Sequence, residues 1–224
     1  MAPGPLMDVH WLGRASYTDV HLLQRELVAA RATDDIADRV LVVEHPAVIT
    51  VGRGRGAADD VGPTDVDVVE VERGGQSTLH APGQLVAYPI IKLEGPDRDL
   101  HRHLRNLEDA VIDVLAEHAL EGRRDERNTG VWLPMAQGRP RKVCSLGIAC
   151  RKWVTWHGLA LNIDIDLQHF HTLRPCGFSA DVMTRVADHL EPCPPLEEWV
   201  TPLARTLARR LDRSWDGTVH PAAA

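Results

Sequence analysis

The chain is poor in cysteine, in clustered positive charge and in long apolar runs, and each shortage removes a class of protein. Its four cysteines, Cys144, Cys150, Cys176 and Cys193, are too few and too scattered for a disulfide framework in 224 residues, and no two form a CxxC pair. They are expected as free thiols, each either inert or reactive. A formal net charge of −7, with no run of Lys or Arg beyond a few residues, lacks the footprint of a nucleic-acid binder. No stretch approaches the roughly 18 apolar residues that cross a bilayer. Residues 1–9 lack the basic and apolar regions of a secretion signal, so the expectation is a cytoplasmic protein with no membrane partner. Metal-ligand spacing is missing too: Cys144, Cys150, His157, His169 and His171 form neither CxxC nor HxxxH and fall on separate elements, so no metal site is expected.

What is present suits one well-buried core. With 44% hydrophobic residues the chain reads as a single domain over residues 1–224. Ser16 is placed as an N-cap before Val20, Leu23, Leu27 and Ala30 at helical spacing. Val40 to Glu44 is a short β-branched run that suits a buried strand, which Ala47 to Val51 extends. The glycine-rich stretch from Gly52 to Asp65 reads as a surface loop carrying Arg53 and Arg55. Asp67 to Glu72 reads as a half-exposed strand and Leu85 to Leu93 as a buried one, with the segment from Arg73 to Gly83 as the loop between them. Residues 99–121 carry Leu100, Leu104, Leu107, Val111 and His118 on one helical face, and Gly122 is placed as the stop. Next, GVWL, KVCSLGIAC and WVTWHGLALNI predict successive strands, with RPRK at one turn. Leu196 to Leu211 predicts a helix that Pro202 begins or kinks, and the final residues GTVHPAAA are expected to fray. Helices and strands mix without strict βαβ alternation, which predicts an α/β (α+β) sheet flanked by helices.

Cys176 lies in LRPCGFSAD, where Pro175 and Gly177 constrain the backbone while leaving space around a sulfur. Local sequence leaves two readings open, an inert buried cysteine and an approachable nucleophile. A thiol at its ordinary pKa is mostly protonated at neutral pH, so catalysis needs a cationic neighbour or a base. Lys142 enters an apolar strand, where a desolvated ammonium can stabilise a thiolate; the alternative is a strand-edge lysine that blocks aggregation. His157 in WHGLALN is the second candidate, and pattern alone does not choose between them. In RGGQSTLHAPGQ, Gly74 and Gly75 permit close backbone approach to a ligand or expose N–H groups toward a carbonyl oxygen, with Arg73 and His80 alongside. A glycine-rich turn is the plainer alternative. The segment has no phosphate-binding P-loop pattern.

Together these motifs resemble the lipoyl(octanoyl) transferase family, which belongs with the biotin and lipoate protein ligases. The resemblance runs in order through EHPAVITVGR (Glu44 to Arg53), RGGQSTLHAPGQLVAYP (Arg73 to Pro89), KVCSLGIA (Lys142 to Ala149), WHGLALNID and RPCGFS, covering most of the chain. It implies a mixed, largely antiparallel sheet flanked by helices, biotin/lipoate protein ligase-like. It also implies transfer of an octanoyl group from octanoyl-acyl carrier protein to a lysine of lipoyl domains, those of 2-oxoacid dehydrogenase complexes and of the glycine cleavage H protein. Cys176 matches the acyl-thioester nucleophile and Lys142 the lysine that lowers its pKa, which leaves His157 as pocket lining. Substrate-contacting positions match Arg73, Gly74, Gly75, Gln76, Ser77, Thr78, Leu79 and His80, then Ser145, Leu146 and Gly147, then Gly158, Leu159 and Ala160. The family usually reads HGPGQ where this chain has His80, Ala81, Pro82, Gly83 and Gln84. The extra methyl of Ala81 either narrows the acyl tunnel or is harmless if its φ stays below zero.

The implied chemistry passes an octanoyl thioester from carrier to Cys176 and then to an amine. That runs downhill from thioester to amide and needs no cofactor. Backbone N–H groups near the SLG and RGG segments are expected to face the oxyanion. Arg53, Arg55 and Arg73 are expected to offer a positive patch to acidic carrier domains. Three rival readings stand beside it: an ATP-dependent lipoate ligase that needs no cysteine, a cysteine hydrolase built on Cys176 and His157, and a noncatalytic carrier-binding module.

Overall fold

The computed structural model describes residues 4–125, 128–173 and 180–221. Eleven strands and three α-helices are named here in chain order. They are β1 (Met7–Arg14), α1 (Tyr17–Ala32), β2 (Asp38–Glu44), β3 (Val48–Val51), β4 (Asp67–Glu70), β5 (Ser77–His80), β6 (Gln84–Ile90), α2 (Leu100–Ala116), β7 (Arg123–Asp125), β8 (Asn128–Leu133), β9 (Arg141–Arg151), β10 (Val154–Asn162), α3 (Val200–Arg210) and β11 (Val219–Pro221). Eight strands form one sheet in the order β11-β1-β2-β6-β10-β9-β8-β7, and β4-β3-β5 form a smaller one. Only β11–β1 and β1–β2 pair in parallel within the large sheet; from β2 onward every neighbour is antiparallel. The expected mixed, largely antiparallel sheet with flanking helices is the architecture found.

The central strands are apolar on both faces because both are covered. Period-two alternation divides them: Val40, Val42, Leu85, Ala87, Leu159 and Leu161 pack into one core with α2 and α3. Leu41, Val43, Val86, Tyr88 and Ala160 pack into another with Tyr17, Val20, Leu27 and Val28 of α1. Ser16 caps α1 as expected, accepting a hydrogen bond from Asp19 N–H at 3.4 Å. Asp99 caps α2 by accepting from Arg102 N–H at 3.0 Å.

The structure departs from the sequence reading at four elements. Val48–Val51 leaves the large sheet and builds the small one, since His45 and Pro46 end β2. Ser77–His80, read as loop, is a strand: its alternation buries Leu79 with Ile49 and Phe170 while β3 supplies the antiparallel ladder. Helix α2 stops at Ala116 rather than running to Gly122, because Ala119 takes a left-handed φ of 57° and its N–H closes on the Ala116 carbonyl. The tail does not simply fray, for Val219–Pro221 adds a parallel edge strand to β1.

Candidate active site

A cavity of about 380 Å³ opens where β5, β9 and β10 converge. Lys142 lines it. A bulge positions this residue: the β8–β9 register moves from Val131 opposite Cys144 to Trp132 opposite Lys142, one residue on β8 against two on β9. The lysine is 3% exposed. Its Nζ donates to Asn128 Oδ1 at 2.5 Å and lies 5.3 Å from the centre of the Trp132 ring. Gly130 makes room for the stem, since a Cβ there would sit 2.6 Å from Lys142 Cε. Gly130 is fixed in turn by fully buried Glu108 of α2, whose Oε1 accepts the Gly130 N–H at 2.9 Å while Oε2 takes Arg105 and Arg124 at 2.7 and 2.9 Å. Lys142 is thus buried within its strand, with Asn128 and Trp132 as contacts that the sequence reading did not name.

Of the fourteen positions matched to substrate contact, thirteen line this cavity; Leu79 instead packs into the core of the small sheet. Arg73 lines the wall but is 8% exposed, and its guanidinium is tied inward: Nη1 donates to the Gly74 and Gln76 carbonyls, and Nη2 to Thr50 O and Oγ1. It therefore shapes the loop and adds nothing to a surface patch, whereas Arg53 and Arg55 are exposed. The Gly74 N–H is spent on the Ile148 carbonyl at 2.9 Å and is not a free oxyanion donor. Gly147 permits that approach, as a Cβ on it would lie 3.0 Å from Gly74 O.

His80 and His157 are buried walls. Burial drives His80 down to about 3 and His157 likewise to about 3, so both rings are neutral at neutral pH. A base this weak is a poor proton acceptor, which argues against His157 as a general base. His80 Nδ1 meets Gln84 Oε1 at 2.8 Å; Gln84 Nε2 donates to Asn162 Oδ1, Asn162 Nδ2 to the Thr184 carbonyl, and Thr184 N–H to the Lys142 carbonyl. A buried amide chain thus links the cavity roof to the lysine's own backbone. His157 sits at φ 56° inside β10, and its N–H donates to Gln24 Oε1 of α1 at 2.9 Å. That left-handed turn breaks the strand's alternation and stacks the imidazole on Trp156 at 4.4 Å.

Cys176 lies outside the described residues. On either side of its segment, Leu173 bridges Val61 and Met183 bridges Lys142. Cys144 is fully buried and burial pushes its thiol well up, so it is an inert core residue. Ala81 is fully buried, does not have a left-handed φ, and packs with Ile49 and Leu79 away from the cavity. The harmless alternative for its methyl group is the one observed. Sequence reasoning missed Tyr17, Tyr88, Leu104, Asn128, Thr129 and Ile148, which also line the cavity. A signal existed for two of them: Tyr17 and Tyr88 are the chain's only tyrosines, polar-tipped residues in otherwise apolar elements.

Comparison with known proteins places this geometry among relatives. The family model described as the lipoyl protein ligase A/B catalytic domain matches residues 16–208. The octanoyltransferase of Chloroflexus aurantiacus is 41% identical over 199 residues, spanning 86% of this chain and 88% of that protein. That of Chloroflexus aggregans is 39% identical over 213 residues, spanning 92% and 95%. Among solved structures, a bi-partite lipoate protein ligase from Thermoplasma acidophilum superposes with a TM-score of 0.73 at 16% identity, over 97% of this chain and 88% of that one. The biotin protein ligase of Aquifex aeolicus reaches 0.52 at 13% identity, over 92% and 69%. At these identities the superpositions speak for the fold alone.

Proposed function

Since the chain belongs to the lipoyl protein ligase A/B catalytic domain family, and its activity is octanoyl transfer in protein lipoylation, we propose that Cys176 carries the octanoyl group as a thioester and that Lys142 activates it. The observation that carries this reading is the buried Lys142 side chain in the cavity wall, with its carbonyl holding the chain that follows the Cys176 segment. In the first step the Cys176 thiolate attacks the carbonyl carbon of octanoyl-acyl carrier protein. The C–S bond to the carrier breaks, and the departing carrier thiolate takes a proton from the Lys142 ammonium, which is left as a neutral amine. In the second, the lysine amine of a lipoyl domain attacks the enzyme thioester and the C–S bond to Cys176 breaks, giving an amide, while the neutral Lys142 amine takes the amine proton and so restores the thiolate and ammonium of the starting state. A desolvated ammonium stabilises the thiolate more than the thiol, so the same residue serves both steps.

Donor carrier and acceptor domain approach one mouth in turn, which gives ping-pong kinetics. Exposed Arg53 and Arg55 offer acidic carrier domains a local positive face on a chain of net charge −7. The low basicity of His157 weighs against the hydrolase reading, and a cysteine set between Pro175 and Gly177 weighs against an ATP-dependent ligase that needs none. Intact-mass spectrometry after mixing with octanoyl-acyl carrier protein tests the proposal. One octanoyl adduct per chain is expected, absent from Cys176→Ser, with transfer proceeding without ATP. Transfer that survives Cys176→Ser and requires ATP would establish the ligase reading instead.

A further inference from the structure

At the cavity wall, three side chains from distant parts of the sequence converge, none of which takes part in the bond-making steps proposed above. His21 of α1, Glu72 just after β4 and His157 of β10 each present one donor atom, and these atoms lie within 4.8 Å of one another. Glu72 Oε2 is 3.1 Å from His21 Nε2, and the His21 and His157 rings stack with centroids 5.6 Å apart. His157 is 2% exposed, yet its Nε2 has no hydrogen-bond partner. A buried polar atom left unmade is costly, and it calls for a ligand or a reason. The neighbouring Gln24 Nε2 is also unpartnered, but an amide donor offers a cation nothing.

We propose that His21, Glu72 and His157 form a binding site for a divalent metal ion of the zinc class. Two imidazoles and one carboxylate are a donor set that zinc accepts, leaving its fourth position to water, whereas magnesium and calcium prefer oxygen alone. Tetrahedral zinc with bonds of about 2.1 Å sets its donors about 3.4 Å apart. The His21–Glu72 pair is already that close, and Glu72, one-third exposed, has room to turn. Burial holds His157 neutral, which is the ligating form. The charge of nearby Arg73 acts against a cation here, and the Glu72 carboxylate offsets it. Trp156, stacked parallel to His21 at 5.5 Å, closes one side of the site. A bound ion would tie α1 and the segment after β4 to the cavity wall through His157.

The test uses chelator-stripped full-length chain carrying Cys176→Ser, so that thiol chemistry is removed, titrated calorimetrically with Zn²⁺. One zinc per chain is expected, with affinity falling at least about tenfold in His21→Gln and again in Glu72→Gln made in the same background. Co²⁺ in the unsubstituted chain should give tetrahedral visible bands without a thiolate charge-transfer band. Zinc should also raise the Tm of the Cys176→Ser parent and leave that of its Glu72→Gln derivative unmoved; Glu72 is partly exposed, so this variant keeps its fold. No stoichiometric uptake, uptake that Cys176→Ser abolishes, or uptake indifferent to both His21 and Glu72 overturns the proposal.

Discussion

The site lysine depends on one residue that has no side chain at all. Gly130 combines a φ of 143° with a gap that Lys142 Cε fills, so Gly130→Ala must displace either the strand or the lysine. The variant should lose about 1–3 kcal/mol of stability. It should also lower kcat at least about tenfold, because the ammonium moves. Gly138→Ala is the control: its φ is 88° but nothing lies within 4 Å of the added methyl. It should cost about 1 kcal/mol and leave kcat alone. Equal rate losses in the two would mean that backbone strain, not the lysine's position, is being read. Asn128→Ala removes one acceptor of Lys142 Nζ without touching the backbone, and should lower kcat with little change in KM for the carrier. Pattern alone made Cys176, between Pro and Gly, and Lys142, in an apolar run, candidates with a plainer alternative each, and it was the resemblance to a family that chose them. Glu108 was not legible, because nothing in its own helix says that its carboxylate reaches a strand backbone 22 residues on.

At the scale of elements, legibility followed locality. β8, β9 and β10 announce themselves as apolar, β-branched runs divided by polar turns, and most of α2 by its period of 3.6, and they are where the pattern put them. β5 and β11 did not, since four and three residues are too short to show a period. Both exist because a distant strand, β3 or β1, offers them a ladder. The α1–β10 contact shows the same limit in its most functional form. Helical spacing marks Val20 and Leu27 as inward, but Gln24, fully buried between them, is there to accept the N–H of a strained His157 133 residues away. Gln24→Ala leaves that N–H unmet and should cost about 1–3 kcal/mol, seen as a lower urea midpoint at unchanged m. Because His157 forms cavity wall, KM for the octanoyl donor should rise in the same variant. A KM identical to that of the parent would mean that the strained backbone is held by the β9 ladder and not by α1.

The whole molecule is held in a protonation state that acid undoes. Burial drives the His45, His80, His103 and His157 imidazoles down to about 4, 3, 4 and 3, while the unfolded chain titrates near 6.5. A depressed histidine pKa means the unfolded state binds more protons below about pH 6.5, so the stability each ring contributes is complete above that pH. It is lost as pH falls from about 6.5 through 4 to 3. Each ring adds a slope of up to about 1.4 kcal/mol per pH unit in that window. The four lie in different places: His45 bonds Tyr88 behind the cavity, His80 and His157 wall it, and His103 sits on α2. Acid therefore attacks the core under both faces of the sheet together. Unfolding free energy should be flat from pH 8 to 7 and then drop steeply from pH 6.5 to 4.5, with several protons taken up on unfolding at pH 5. His103 is the ring to remove, because it lies outside the cavity lining and its Nε2 has no partner. His103→Gln should flatten the slope by about one proton's worth without altering the effect of the cavity histidines. Stability that holds level from pH 7 to 5 would mean these rings are charged or solvated in the folded chain, contrary to the burial that the sheet and its helices impose.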